Sequence, residues 1–305
     1  MIMEQYNLKR GILFALFSSF CFALMGMLVH AAGDLPFVEK AFFRNIVALA
    51  FSSVLFIRNR KKEAVHRKIE RKAIEFVLLR AICGSVGIFG NFYALDHIPI
   101  SDASMLNKMS PFFSILGCFI FLGEKIELIP LLAVCGAFGG AVLVIKPSFN
   151  FTQFFPALAG FLGGMGAGFA YSFIRKCHSY KVNGNFIIMT FSLFSSLICL
   201  PFMIAFWKPM SVQQFLILIG AGLAASGGQF GITNAYFNAP AAKISIYEYS
   251  MVIFSAIMGF FAFGQIPDAL SILGYIIIIG IAVLIFFYNQ RKQKKTEEAK
   301  QETDA

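Results

Sequence analysis

Charged residues are scarce in this sequence. Asp, Glu, Lys and Arg make up 14% of the 305 residues, whereas 58% are hydrophobic and the mean hydropathy is +0.74. A soluble protein of this length needs more polar residues to cover its surface. The apolar residues come in blocks of about 20, the length of helix that crosses a hydrocarbon core roughly 30 Å thick. The sequence therefore predicts an all-α integral membrane protein.

Sequence motifs of several other function classes are missing as well. The six cysteines form no C-x-x-C pair and lie mostly inside apolar blocks, so they indicate neither a disulfide framework nor a metal site. The sequence contains no H-E-x-x-H or G-x-S-x-G motif, which disfavours an intramembrane enzyme, and no nucleotide-binding glycine pattern follows a strand. A channel is disfavoured because there is no filter-like loop or ring of charges. We expect no cofactor and no metal.

The net charge of +10 is placed as in a membrane protein, and it does not indicate a nucleic-acid partner. Basic residues concentrate between apolar blocks, above all in 58–72, which is typical of cytoplasmic loops. With the N-terminus inside, the outside segments hold little beyond Lys40, Lys146 and Lys208. This distribution predicts a multi-pass protein of the cytoplasmic membrane with both termini in the cytoplasm.

The hydropathy pattern predicts ten spans, an even number, as the orientation of the termini requires. Residues 289–305 are expected to form a charged, disordered cytoplasmic tail. The predicted spans are 11–32, 37–57, 74–95, 99–122, 128–146, 155–175, 185–206, 213–236, 241–263 and 269–288.

An internal repeat relates the two halves of the chain, 1–146 and 147–288, at a constant offset of 141 residues. The offset matches glycine and proline positions, which composition alone seldom aligns. Five spans separate the copies, so the fold is expected to be two inverted five-helix repeats, an arrangement typical of secondary transporters. The matched pairs include Gly87/Gly228, Gly90/Gly231, Pro99/Pro240, Gly123/Gly264 and Gly139/Gly280.

Several segments resemble a known family, the EamA repeat of the drug/metabolite transporter superfamily. The resemblance covers nearly the whole chain and implies a ten-helix transporter of small organic metabolites. One departure is Gln265, which stands where the family often has Glu. The segments that carry the resemblance are 91–99, Ser110-Pro111-Phe112, 121–125, Glu248-Tyr249-Ser250 and Gly264-Gln265.

Ionisable residues inside spans indicate where the site lies, because a charge exposed to lipid is costly. Arg44, Lys108 and Glu248 each lie about 10–13 Å from a helix end at ~1.5 Å rise per residue. We predict that they face a common central cavity, with a structural ion pair to Glu248 as the alternative, whereas Arg80 lies nearer a cytoplasmic end and is interpreted as snorkelling. The repeat places Asn107 opposite Glu248 and Lys108 opposite Tyr249. The predicted substrate-binding set is Arg44, Asn91, Tyr93, Asn107, Lys108, Gln229, Glu248 and Tyr249.

The balance of two cations against one acid favours a carboxylate-bearing or amino-acid-like substrate. Glu248 is the candidate for proton coupling, since burial and nearby cations act on a carboxyl group in opposite directions. Expected partners are therefore a small-molecule substrate, membrane lipid and protons. The sequence leaves open the direction, export or uptake, the oligomeric state, and a lipid flippase or scramblase on the same fold. Aromatic walls of the cavity are predicted from Tyr93, Tyr171, Tyr236, Tyr247 and Tyr249.

Overall fold

The computed structural model describes residues 7–62, 70–98, 100–145, 154–264 and 266–304, and these residues are almost entirely helical. One 3-10 segment, Ser245–Tyr249, lies between α10 and α11. The α-helices are α1 Leu8–Ala31, α2 Phe37–Lys62, α3 Arg71–His97, α4 Ile100–Asn107, α5 Ser110–Leu122, α6 Leu128–Ile145, α7 Phe154–Ser179, α8 Gly184–Ala205, α9 Val212–Asn238, α10 Ala241–Ile244, α11 Ser250–Phe263 and α12 Ala269–Asp304.

The predicted number of spans is confirmed. In the described part of the chain, ten helical stretches are long and apolar enough to cross a membrane. Local chemistry explains several helix ends: α9 begins at a capping box formed by Ser211 and Gln214. Both α5 and α11 end at a left-handed glycine, Gly123 with φ 67° and Gly264 with φ 65°, a conformation that glycine adopts without strain.

The chain after Asn289 differs from the disordered tail predicted for 289–305. The helix α12 continues without interruption to Asp304. This segment contains no glycine or proline and is rich in Lys, Glu and Gln, which are strong helix formers. Local helix propensity can therefore extend the last span into the polar segment that follows it.

Helix packing joins the two halves of the chain. The most extensive contacts pair α3 with α7, α1 with α9, α2 with α8 and α6 with α12. The repeat offset of 141 residues relates the α3–α7 pair to the α9–α1 pair. Two aromatic contacts are related by the same offset. Phe20 meets Phe254 edge-on at 5.6 Å, and the equivalent Phe161 meets Phe113 at 5.5 Å. These paired contacts support the predicted repeat, whose inverted orientation stays a prediction.

Small residues let α7 approach the first half of the chain closely. A Cβ atom at Gly160 would lie 3.0 Å from the side chains of Ala94 and Leu106, and one at Gly168 would lie 2.5 Å from the carbonyl oxygen of Ser110. Glycine at these positions permits backbone-to-backbone packing of the kind that drives helix association in membranes. The α7 glycines thus seat this helix against the junction between α4 and α5.

Candidate functional site

Two helix breaks lie at equivalent positions of the predicted repeat. α4 ends at Asn107 and α5 begins at Ser110, while the 3-10 segment ends at Tyr249 and α11 begins at Ser250. The sequence predicted continuous spans in both places, so these breaks are a finding of the structure. Interrupted helices at membrane depth are tolerated only inside the protein, where they free backbone groups to bind ions and substrates.

The two breaks contact each other directly through Lys108 and Tyr249. The Tyr249 hydroxyl donates a hydrogen bond to the Lys108 carbonyl oxygen at 3.1 Å. The Lys108 ammonium group lies 3.3 Å from the sulfur of Met251. Tyr249 is fully buried. The predicted residues Lys108 and Tyr249 are therefore brought together at the centre of the molecule.

Glu248 belongs to the same 3-10 segment and is held by a tyrosine. The Tyr236 hydroxyl donates to Oε1 of Glu248 at 2.8 Å, and the Tyr236 ring lies 5.4 Å from the ring of Tyr171. Among the described residues, no cationic nitrogen comes within 4.0 Å of the Glu248 carboxylate. Lys108 nevertheless interacts with Glu248 electrostatically. The closed ion pair considered as the alternative is absent from the described part, and the groups lie apart within one polar cluster.

Arg44 is buried on α2 and has neutral partners. Its Nη1 donates to the side chain of Asn45 at 3.2 Å, and its Nε lies 3.3 Å from the sulfur of Met25. Only 7% of Arg44 is exposed. No carboxylate oxygen of the described residues lies within 4.0 Å of this guanidinium. Arg44 therefore carries a charge into the membrane interior without an acidic partner in the described structure.

Gln229 binds an arginine that the sequence interpretation placed wrongly. Arg80 was expected to snorkel toward the cytoplasm, but it is 1% exposed and donates from Nη2 to Oε1 of Gln229 at 2.9 Å. Its guanidinium carbon lies 4.0 Å from the ring centroid of Phe191. The correction follows from packing, because α8 packs against α3 and Gln229 of α9 reaches the Arg80 side chain. The sequence did contain one indication of burial, because Arg80 lies about 13 Å from the start of α3.

The remaining predicted residues are Asn91 and Tyr93 on α3 and Asn107 at the end of α4. Tyr93 is 39% exposed and its ring packs on His97 at 4.2 Å, away from the charged cluster. The backbone of Asn91 and that of Asn107 face α7, where Cβ atoms at its glycines would lie 2.8 Å from Asn91 N and 3.4 Å from Asn107 Cα. Both asparagines are half-buried. Their contact with substrate, and that of Tyr93, stays a prediction.

At the end of the molecule predicted to face the cytoplasm, Arg175 ties three helices together. Its Nε lies 3.0 Å from Oε1 of Glu124, just after α5. Its Nη1 donates to the carbonyl oxygens of Tyr236 at 3.2 Å and Phe237 at 3.3 Å, at the end of α9. We call Glu124, Arg175 and these two carbonyls the inner-end network. It holds the ends of α5, α7 and α9 in contact.

Polar contacts at the opposite end join two loops. The Lys208 backbone N–H donates to Oε1 of the buried Glu39, and the Lys208 ammonium donates to the Asp34 carbonyl oxygen at 2.8 Å. The Gln214 side chain donates to the Ala32 carbonyl oxygen at 3.0 Å. These bonds connect the α1–α2 loop and the start of α2 to the α8–α9 loop and the start of α9.

Two apolar cavities lie on the flanks of the molecule. One of about 330 Å³ lies between α6 and α12, and one of about 400 Å³ lies between α3, α7 and α8. Neither is lined by Arg44, Lys108 or Glu248. Within the described ranges, no cluster of three or more His, Cys, Asp or Glu side chains could hold a metal ion. The chemistry available at the centre is therefore that of hydrogen bonding and charge.

Comparisons with known proteins agree with this architecture. The model of the EamA-like transporter family matches residues 9–146. The pseudopaline exporter CntI of Pseudomonas aeruginosa is 30% identical over 279 residues, covering 89% of this chain and 94% of that protein. A riboflavin transporter of Vibrio cholerae is 24% identical over 303 residues, covering 95% and 97%.

A solved crystal structure shares the fold with a TM-score of 0.80 at 14% identity, covering 92% of this chain and 99% of the other. The names of the relatives indicate a transporter of small molecules and not an enzyme. Three observations point to the same family: the ten spanning helices, the helix breaks at equivalent positions, and the relative that is matched over nearly its full length. The chain therefore belongs to the EamA-like transporter family of the drug/metabolite transporter superfamily.

Proposed function

We propose that this small-metabolite transporter is a secondary carrier that exports a carboxylate-bearing, amino-acid-like compound across the cytoplasmic membrane. In this proposal residues 1–146 and 147–288 are inverted repeats that rock against each other, and both termini are cytoplasmic. Substrate binds between the halves, where Lys108, Glu248 and Tyr249 lie on the helix breaks.

The observation that carries the proposal is the contact between the two breaks. Tyr249 of one break binds the backbone of Lys108 in the other, and each break bears an ionisable side chain inside a candidate membrane span. Such residues are expensive inside a membrane and mark substrate and ion pathways. A break in each half, at equivalent positions, gives a carrier one element on each side of the substrate to move during alternating access.

Charge supports the substrate class. The arginine on α2 and the lysine on the first break offer cationic groups, and neither has a carboxylate partner within 4.0 Å in the described structure. Glu248 offers the one acidic group described in this cluster. A ligand with both an amine and a carboxylate can pair with the acidic group through its amine and with the cationic groups through its carboxylate. Glu248 is also the group proposed to carry a proton, since Tyr236 hydrogen-bonds to its carboxylate without neutralising it.

Relatives support export more than uptake. The relative at 30% identity is named an exporter, whereas those named riboflavin transporters are 24% and 26% identical. Uptake by the same mechanism is the alternative direction. A lipid flippase requires substrates that enter from the bilayer, and it is tested separately below.

The test is transport by the purified full chain in proteoliposomes against a panel of labelled amino acids and carboxylates. Glu248→Gln, Lys108→Met and Arg44→Met are each expected to reduce uptake at least about tenfold, the scale of losing one charge-assisted contact. Glu75→Gln is the matched control, because Glu75 is an exposed acid on α3 and should retain wild-type rates.

Two results would contradict the proposal. Full transport by all three charge variants would exclude the central cluster as the binding site. Movement of labelled phospholipid between leaflets, without transport of any soluble compound on the panel, would favour the flippase function instead.

A further inference from the structure

Arg80 is a buried cation whose described partners are all neutral. It is 1% exposed, and one of its nitrogens, Nη2, bonds to Gln229 at 2.9 Å. Its Nε and Nη1 are fully buried without a hydrogen-bond acceptor among the described residues. No carboxylate of the described residues lies within 4.0 Å of it. A guanidinium removed from water and left half-bonded is costly, unless another molecule supplies the missing acceptors.

The surroundings of Arg80 are shaped to accept its guanidinium group. A Cβ atom at Gly84, one turn along α3, would overlap Nη1 of Arg80 and lie 2.7 Å from the Phe191 ring. Glycine at this position leaves the room in which the guanidinium lies flat against Phe191. Arginine stacked on an aromatic ring keeps its in-plane N–H groups available to acceptors. The Arg80 guanidinium therefore has two nitrogens, Nε and Nη1, for which the described residues supply no acceptor.

Further unpaired polar groups continue from Arg80 along α9. Thr233, one turn beyond Gln229, is 1% exposed, and its hydroxyl lacks a partner in the described structure. Tyr236 follows on the same face of α9 and bonds to Glu248. The rise from Gln229 to Tyr236 is about 10 Å. Polar side chains at successive turns of α9, from Gln229 through Thr233 to Tyr236, thus lie between Arg80 and Glu248.

The charge count along this face is unequal. Arg44, Arg80 and Lys108 contribute three cations within the candidate spans, and Glu248 contributes one acid. Neither Arg44 nor Arg80 has a carboxylate oxygen within 4.0 Å in the described structure, so an anionic group of the substrate can pair with them. We propose that Arg80 is a substrate-binding residue and that the transported compound carries more carboxylates than amines. This inference rests on the proposed transport function and specifies its substrate class.

Three probes with one amine nitrogen and one, two or three carboxylates test the inference: glycine, iminodiacetate and nitrilotriacetate. Binding to the detergent-purified full chain is titrated by thermal unfolding in metal-free buffer, because a ligand of the native state raises its apparent stability. The variants are Arg80→Met and Arg80→Lys. Arg71→Met is the control, since Arg71 lies exposed at the start of the same helix.

In the wild type, affinity is expected to rise from glycine to nitrilotriacetate. Arg80→Met should bind the two polycarboxylates at least about tenfold more weakly and glycine unchanged, with Arg80→Lys intermediate and Arg71→Met like the wild type. If Arg80→Met does not fold, the affinities of Arg80→Lys for the three probes are compared with those of the wild type instead, and a selective loss for the two polycarboxylates supports the proposal. The proposal is overturned if the Arg80 variants keep the wild-type preference, if no probe binds the wild type, or if inorganic phosphate alone binds. These outcomes are independent of the transport assay on Glu248 variants, which judges the proposed function itself.

Discussion

The packing of α7 against the first helix break makes a quantitative prediction at Gly164. A Cβ atom at this position would overlap the carbonyl oxygen of Leu106 and lie 3.4 Å from Cα of Asn107. Both atoms belong to the backbone, so no side-chain rotation can relieve the overlap. The Gly164→Ala variant must therefore separate α7 from α4 just before the break.

The magnitude follows from two opposing effects. Overpacking a tightly packed contact costs about 1–3 kcal/mol. Replacing glycine by alanine inside a helix contributes about 1 kcal/mol of stability in the other direction. The second effect cancels in a comparison with Gly139→Ala, because Gly139 is also helical and has no neighbouring atom within 4 Å of the place that an added methyl group would take. Gly164→Ala should thus be less stable than Gly139→Ala by about 1–3 kcal/mol.

The assay combines stability with transport. Reversible unfolding of the two variants in detergent gives the stability difference, and proteoliposome transport gives the functional effect. Because the methyl group acts beside the break that carries Lys108, transport by Gly164→Ala should fall even at temperatures where the variant is folded. Equal stability and equal transport for Gly164→Ala and Gly139→Ala would refute the claim that backbone contact positions the break.

Three further predictions concern the polar contacts. Tyr249→Phe removes the bond to the Lys108 carbonyl and should lower the free energy of unfolding by about 1 kcal/mol; an unchanged value would show that this bond does not stabilise the junction. Glu248→Gln should abolish any dependence of transport on a proton gradient, measured with and without an imposed gradient, and a preserved dependence would exclude Glu248 as the proton carrier. Glu124→Gln and Arg175→Gln should each weaken the inner-end network. Cysteines introduced on the facing ends of α5 and α9 should then react faster with a thiol reagent than in the wild-type background. The same extent of labelling in the variants and in the wild type would contradict that role.

The number of spans could be predicted because long apolar blocks are a direct property of the sequence. The breaks at Lys108 and Glu248 could not, since hydropathy continues across them. One local cause is visible afterwards: Pro111 has no backbone N–H and cannot donate to Asn107, which favours ending α4 there. The second break has Val252 at the equivalent position, so its 3-10 geometry depends on tertiary contacts.

Part of the charged cluster was likewise accessible from the sequence. Arg44, Lys108 and Glu248 were identified as charges within spans because they lie deep in apolar blocks, and the cavity they are predicted to share stays a prediction. Arg80 was misplaced because its environment is created by residues far along the chain, with Gln229 149 positions away. Snorkelling and burial differ only in what packs over the side chain, and one apolar block does not contain that information.

In the proposed carrier, the ion pair of the inner-end network has no counterpart at the positions that the repeat relates to it. Glu124 and Arg175 form an ion pair at 3.0 Å at one end, but the repeat places Gln265 and Asp34 at the corresponding positions of the other half. That combination cannot form the equivalent pair, because the cation is missing. Because the two ends are joined by different contacts, the two states of the proposed carrier differ in free energy, and a ligand shifts them only through its different affinity for each. We therefore expect the empty protein to favour the state in which the inner-end network is closed. Weakening that network should raise the apparent affinity for substrate added from the cytoplasmic side, because a larger fraction of the protein is then open to it.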